Sequence, residues 1–249
     1  MNQREDADMK NFLSKVIHFR HLKARRSKPL LNSLRFNFSS YHANTRGLLS
    51  FGSAGIISKG FAYLMNNKIT GNYGEFGVYK GDTFLEAISL ARLYGQSHMR
   101  FMAFDSFSGL PEVKEHDSAE VFHQGQFSFG QESFLKNLRK SKVDFQRIKI
   151  YPGFFDQTLP TIELKEMFSF AFVDCDLYIS TVSVLRFLED KLVQGAILAF
   201  DDWYCFDSPN KGVRKAVYQW LEDNKSIELI EYDNFHWAGK AFIVNFHQR

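Results

Sequence analysis

The sequence predicts an α/β fold: a mostly parallel sheet with helices on both faces and an antiparallel last strand. Three observations predict it. From Asn72 onward, short apolar runs alternate with stretches of helical periodicity. Two of those runs, Phe168–Val173 and Ala196–Phe200, are apolar at almost every position, as strands buried on both faces require. The last two, Ile227–Tyr232 and Lys240–Phe246, have no helical stretch between them and should pair antiparallel.

Each element has its own signal. Met9–Arg26 carries Phe12, Val16, Ile17 and Phe19 near helical spacing and is stopped by Pro29; Leu48–Asn66 reads as a second helix. Residues 1–70 are therefore expected to form an N-terminal helical cover, and residues 71–249 the α/β domain. Strands are expected at Tyr73–Gly77, Arg100–Phe104 and Arg147–Tyr151, besides the four runs above. That makes seven. Helices are expected at Asp82–Tyr94, Glu132–Lys140, Ile179–Leu192 and Gly212–Asn224. The stretch from Asp105 to Gly130 is polar, glycine-bearing and too long for a simple connection, which marks it as functional.

Composition limits the function classes. The 249 residues are 45% hydrophobic and 24% charged, which excludes a disordered chain and supplies a core. No eighteen-residue apolar run exists, so no membrane-spanning helix is expected. The opening MNQREDADMK lacks the apolar centre of a signal peptide. Two cysteines, Cys175 and Cys205, make no disulfide framework, so a reducing cytoplasm is the expected location. Residues 1–50 carry a formal charge of +7 and the rest −4. Six basic residues and no acidic one lie within residues 15–28. Such a cluster can touch a membrane surface; the plainer reading is a solvated helix or an arm against a second subunit. One short cluster does not point to a nucleic-acid partner.

Ligands of such sheets bind beyond the C-terminal strand ends, so chemistry should sit there. The first strand runs into Glu75-Phe76-Gly77-Val78-Tyr79-Lys80-Gly81. The spacing E-x-G-x-x-x-G is neither the dinucleotide fingerprint nor a P-loop. Gly77 would let a ligand approach the backbone, and Gly81 would ease entry into the helix. The second strand ends in Asp105-Ser106, where an acid is placed to hold a ribose or, more plainly, to cap a turn. The third ends in Pro152-Gly153-Phe154-Phe155, where either Phe could stack on adenine or belong to the core. The fourth ends in Asp174-Cys175-Asp176 and the fifth in Asp201-Asp202. Asp174 and Asp176 would share a side if the strand continued. Four carboxylates repel unless a cation offsets them, and hard oxygen ligands suit magnesium, calcium or manganese. The plain alternative is that these acids are helix caps.

EFGVYKG at 75–81, FDSFSGLPE at 104–112, PGFFDQTLP at 152–160, VDCDLY at 173–178 and DDW at 201–203 together resemble the macrocin O-methyltransferase (TylF/MycF-type) family. The resemblance covers about residues 45–246, with the motifs in family order. It implies a Rossmann-like class I fold and a magnesium- and S-adenosylmethionine-dependent sugar O-methyltransferase. Glu75 and Gly77 would then shape the methionine side of the cofactor pocket, with Tyr79, Gly81 and Ser106 beside them. Asp105 would hold the ribose, and Gly153 and Phe154 would border the adenine. Asp174, Asp201 and Asp202 would bind magnesium, Asp174 also facing the cofactor. Asp176 would be the general base. The N-terminal helices would cover the site and support a homodimer. The acceptor would be a small molecule or glycan.

A sugar hydroxyl needs a base, and a neighbouring cation eases its ionisation. His98, His116, His123 and His236 are rival bases, although none follows a buried parallel strand. Cys175 and Cys205 have no basic partner and read as packing residues. Two other functions stay open from the residues: a glycosyltransferase binding a nucleotide-sugar through Asp174-Cys175-Asp176 and manganese, or an inactive cofactor-binding scaffold.

Overall fold

The computed structural model describes residues 52–114, 117 and 121–247. The helix expected over Met9–Arg26, the basic cluster at 15–28 and residues 48–51 of the second helix lie outside them. The described elements, in chain order, are α1 (Ser53–Asn66), β1 (Asn72–Phe76), α2 (Asp82–Leu93), β2 (Phe101–Asp105), α3 (Gln131–Lys140), β3 (Ile148–Pro152), β4 (Phe168–Val173), α4 (Tyr178–Leu188), β5 (Leu192–Phe200), α5 (Gly212–Asp223), β6 (Ile227–Phe235) and β7 (Gly239–Phe246). The seven strands form one sheet in the order β3-β2-β1-β4-β5-β7-β6. β7 alone runs opposite to the other six strands, pairing antiparallel with β5 and β6.

Alternate residues of each strand face opposite sides. Phe76, Phe104, Val173 and Phe200 point to the face covered by Val184, Leu185 and Leu188 of α4 and Val213, Val217 and Trp220 of α5. Tyr73, Phe101, Phe172 and Ala199 point to the face covered by Ile57, Phe61 and Leu64 of α1, Phe84 of α2 and Phe134 of α3. Each helix presents one apolar stripe to the sheet, which is why its hydrophobic positions recur at helical spacing.

The parallel strands are in an aligned register. Phe76 pairs with Phe104 and with Val173; Phe104 pairs with Tyr151; Val173 pairs with Phe200. The residues that follow, Gly77, Asp105, Pro152, Asp174 and Asp201, therefore form a row along the C-terminal edge. Ladder bonds continue into that row: Gly77 N–H donates to Phe104 O, Asp174 N–H to Phe76 O, and Asp201 N–H to Val173 O. Beneath it, the rings of Phe76 and Phe104 stack at 4.5 Å, and those of Phe104 and Tyr151 at 4.8 Å.

Three elements differ from expectation. The helix expected to reach Leu192 ends at Leu188, and β5 starts at Leu192. Leu192 pairs with Phe168, the register then shifts, and Gly195 takes a left-handed φ of 77°. β6 runs on past Tyr232 to Phe235 through a register shift between Glu231 and Asp233. The long connection after β2 is held by its own apolar cluster, in which Leu110 and Phe122 pack with Leu177 and Phe206. Among the described residues no helix is long and apolar enough to cross a membrane.

Phe104 is the middle ring of the stack and 1% exposed. Phe104→Ala should lower unfolding stability by about 3–5 kcal/mol, the usual range for a buried Phe. Urea unfolding checks this, and an unchanged midpoint would show that the stack is not holding the edge.

Candidate active site

A cleft of about 530 Å³ opens above the row. Gly77, Tyr79, Asp105, Ser106, Gly153 and Phe154 line one side of it, and Asp174, Asp176, Asp201 and Asp202 another. The connection after β2 adds a wall that includes Leu110, Glu112, Lys114 and Phe127. Sequence periodicity gave that wall no element, only its unusual length.

Two expected cofactor residues do not line the cleft. Glu75 is 1% exposed on the α1–α3 face, where Tyr73 Oη donates to its Oε2 at 2.5 Å. Burial pushes its carboxyl well above the ordinary range; the hydroxyl bond opposes the shift, and Asp201 and Asp105 add to it. Gly81 caps α2 with φ 84°, and a Cβ there would meet the Phe134 ring at 2.7 Å. Its smallness serves that packing as well as the turn. Gly77 lines the cleft, yet its constraint is also internal. With φ 92°, a Cβ would lie 1.8 Å from the Asp174 carbonyl oxygen. Glycine here lets β1 and β4 carry their ladder into the loops.

Asp105 anchors the loops around it. Its Oδ2 accepts from Val78 N at 2.8 Å and Tyr79 N at 3.1 Å, and its Oδ1 from Phe107 N at 2.7 Å. A carboxylate has about four acceptor positions, so three are already used. Ser106 Oγ donates to Gly109 O and accepts from Ser108 N, pinning the start of the long connection. Tyr79 takes φ 43° and meets Phe127 and Phe129 edge-on, which ties the glycine loop to the wall. Phe154 precedes the single helical turn Phe155–Thr158.

The acids gather as their strand ends require. One ligand atom each from Asp174, Asp201 and Asp202 lie within 4.8 Å of one another. Burial, then repulsion from Asp201, Asp202 and Asp176, drives the Asp174 carboxyl well above its usual range. Asp202 is pushed up to about 6, chiefly by burial and then by Asp201. Asp174 and Asp202 resist ionising, and with Asp201 they offer three hard oxygen donors, the set a divalent cation matches.

Asp176 is not placed by strand alternation, because β4 stops at Val173. It sits at φ 58°, and its N–H donates to Asp202 Oδ2 at 3.1 Å. This left-handed turn sets its carboxylate beside the triad. Its pKa is raised to about 8, by burial first and then by Asp202, Asp201 and Asp117. Asp117 was invisible as a site residue in the sequence. It is buried, and its Oδ1 accepts from Tyr178 N at the start of α4.

The other candidates separate clearly. His98 is exposed before β2, at the opposite end of the sheet, and His123 is exposed with Nδ1 3.3 Å from Gln124 O. His116 lies outside the described residues. His236 does reach the site, with Nε2 3.0 Å from Asp201 Oδ1. Cys175 is buried, 3.5 Å from Thr181 Oγ1, while Cys205 Sγ donates to Asp202 Oδ1 at 3.2 Å. Burial drives both thiols up, so neither is a ready nucleophile.

Comparison with known proteins agrees with this geometry. The family model for macrocin-O-methyltransferase (TylF) matches residues 56–238. Demethyldecarbamoylnovobiocin O-methyltransferase of Streptomyces niveus is 26% identical over 180 residues, covering 70% of this chain and 68% of that protein. The 8-demethyl-8-(2,3-dimethoxy-alpha-L-rhamnosyl)-tetracenomycin-C 4'-O-methyltransferase of Streptomyces olivaceus is 28% identical over 159 residues, covering 61% and 58%. The crystal structure of CalS11, a calicheamicin methyltransferase, shares the fold with a TM-score of 0.67 at 20% identity, covering 98% of this chain and 94% of that one. The match removes the glycosyltransferase alternative. The chain belongs to the TylF macrocin-O-methyltransferase family and has its S-adenosylmethionine-dependent O-methyltransferase fold and activity class.

Proposed function

We propose that this chain methylates a hydroxyl of a sugar or glycosylated metabolite, with magnesium held by Asp174, Asp201 and Asp202 and with Asp176 taking the proton. The observation that carries this reading is the convergence of three carboxylates within 4.8 Å, with Asp176 turned beside them. The rhamnosyl group in the name of the tetracenomycin relative supports a sugar acceptor. An acceptor on a small molecule or glycan fits a cleft of about 530 Å³. Two free cysteines fit a reducing cytoplasm. A homodimer is the expectation that the family resemblance adds.

When bound, the cation would offset the carboxylates and ease ionisation of a nearby hydroxyl. S-adenosylmethionine supplies the methyl on a sulfonium sulfur, whose bonding pair stays behind as the thioether. The chain's own residues do the rest. Leu110, Phe127 and Ile179 give the cleft apolar walls that exclude water. Asp105, through the Val78 and Tyr79 amides, holds the glycine loop that borders the cofactor side. Gly153 and Phe154 border the far end. Asp176 accepts the acceptor's proton on a carboxylate oxygen. Without a cation, burial and then the neighbouring acids raise the Asp176 carboxyl to about 8; a bound cation would draw it down and leave an ionised carboxylate ready to take the proton.

Asp202→Asn should abolish turnover while S-adenosylhomocysteine binding, followed by calorimetry, stays near wild type. Full wild-type activity in excess EDTA would count against the magnesium assignment. Cation binding to the folded state alone should also raise the thermal midpoint; at a hundred times Kd the gain is about 2.7 kcal/mol. The Asp202→Asn protein should show little of it. Asp176→Asn should slow single-turnover methyl transfer by about 10²–10⁴ with cofactor affinity retained. A fall below about tenfold, or rescue by added magnesium, would remove Asp176 from the base role.

A further inference from the structure

His236 sits in the turn between β6 and β7, 35 residues beyond Asp201 in sequence. Its ring is fixed on three sides. The Ala238 N–H donates to Nδ1 at 3.0 Å. Nε2 lies 3.0 Å from Asp201 Oδ1. The Phe235 ring meets it edge-on at 4.8 Å. An Nδ1 that accepts an amide hydrogen carries no proton, so the ring proton resides on Nε2 and points at Asp201. A doubly protonated ring would set a donor against the Ala238 donor. Both nitrogens are thus engaged, and no lone pair is left for an acceptor hydroxyl.

Asp201 Oδ1 has a second donor. Ser53 Oγ, at the first turn of α1, donates to the same oxygen at 3.1 Å. Both bonds fall on Oδ1. Among the described residues Oδ2 has no hydrogen-bond donor, so its lone pairs stay available. Asp202 is oriented in a similar way, by Cys205 Sγ on Oδ1 and Asp176 N on Oδ2.

We infer that His236 is a positioning residue: a fixed Nε2–H donor that, with Ser53, orients the Asp201 carboxylate for cation binding, and not a proton acceptor in methyl transfer. The inference rests on the magnesium reading of the acid triad. Outer partners of this kind set the orientation of a ligand carboxylate, and losing one weakens metal binding or activity by about 10- to 100-fold.

The test is Mn²⁺ binding, read from the free-ion electron paramagnetic resonance signal, with wild type, His236→Ala, His236→Gln and Ser53→Ala. Thermal midpoint and S-adenosylhomocysteine affinity are measured alongside. His236→Ala should raise the Mn²⁺ Kd by about 10- to 100-fold, with S-adenosylhomocysteine affinity unchanged. His236→Gln, which restores an N–H donor at similar reach, should recover most of the loss. Ser53→Ala should weaken binding in the same direction. Unaltered Mn²⁺ affinity in His236→Ala overturns the inference and leaves the triad standing. So does an affinity loss in His236→Gln as large as in His236→Ala. A fall in methyl-transfer rate with Mn²⁺ affinity intact overturns it too, by giving His236 the base role. Wild-type protein that binds no Mn²⁺ overturns the triad reading and this inference together.

Discussion

The aligned register of the parallel strands is the constraint on which the site depends. Phe76, Phe104, Tyr151, Val173 and Phe200 lie at equivalent positions of five strands. The stacked rings of Tyr151, Phe104 and Phe76 bind three of those strands together from one face. Side chains of a strand alternate faces, so a slip of one residue would turn every ring to the other side. Burial of both faces forbids that slip. The residue after each aligned position is thereby delivered to one edge, and residues as distant as Gly77 and Asp174 become neighbours.

That edge concentrates negative charge. Asp174, Asp176 and Asp202 enter a partly closed cleft beside Asp201, where burial and repulsion from neighbouring acids oppose the ionisation of these three. The surroundings moderate the strain rather than remove it. Ser53 and His236 bond to Asp201, and Cys205 and the Asp176 amide bond to Asp202. Under the magnesium reading we propose, a divalent cation would offset that charge. The edge also sets Asp176 beside the triad in a left-handed turn rather than on a strand. The same charge that burdens the fold thus supplies the chemistry we propose for it.

Much of this was legible in the sequence because strand ends are marked locally. Apolar runs such as Phe168–Val173 stop abruptly at acids, and the row could be read strand by strand. Tertiary relations were not legible. Gly77 read as room for a ligand, and it does line the cleft, but its missing Cβ also makes space for the Asp174 carbonyl, which local sequence could not show. Asp105 read as either a ribose acid or a turn cap, and the three backbone amides that bind it could not be read from the sequence. Glu75 faces the helix layer because odd positions of β1 do so. His236 stood among four rival bases in the sequence, but a hairpin turn has no periodicity to mark that its ring folds back onto Asp201. The helix expected to reach Leu192 was overrun because Leu188 and Leu192 keep helical spacing across a turn that β5 starts from.

The most direct test of the central claim is anomalous diffraction at the manganese edge, from crystals grown with Mn²⁺ and S-adenosylhomocysteine. The account predicts a single strong peak enclosed by the carboxylates of Asp174, Asp201 and Asp202, with the Asp176 carboxylate beside it and outside the coordination sphere. No peak at the triad, or a peak coordinated by Asp176 in place of Asp201, would contradict it.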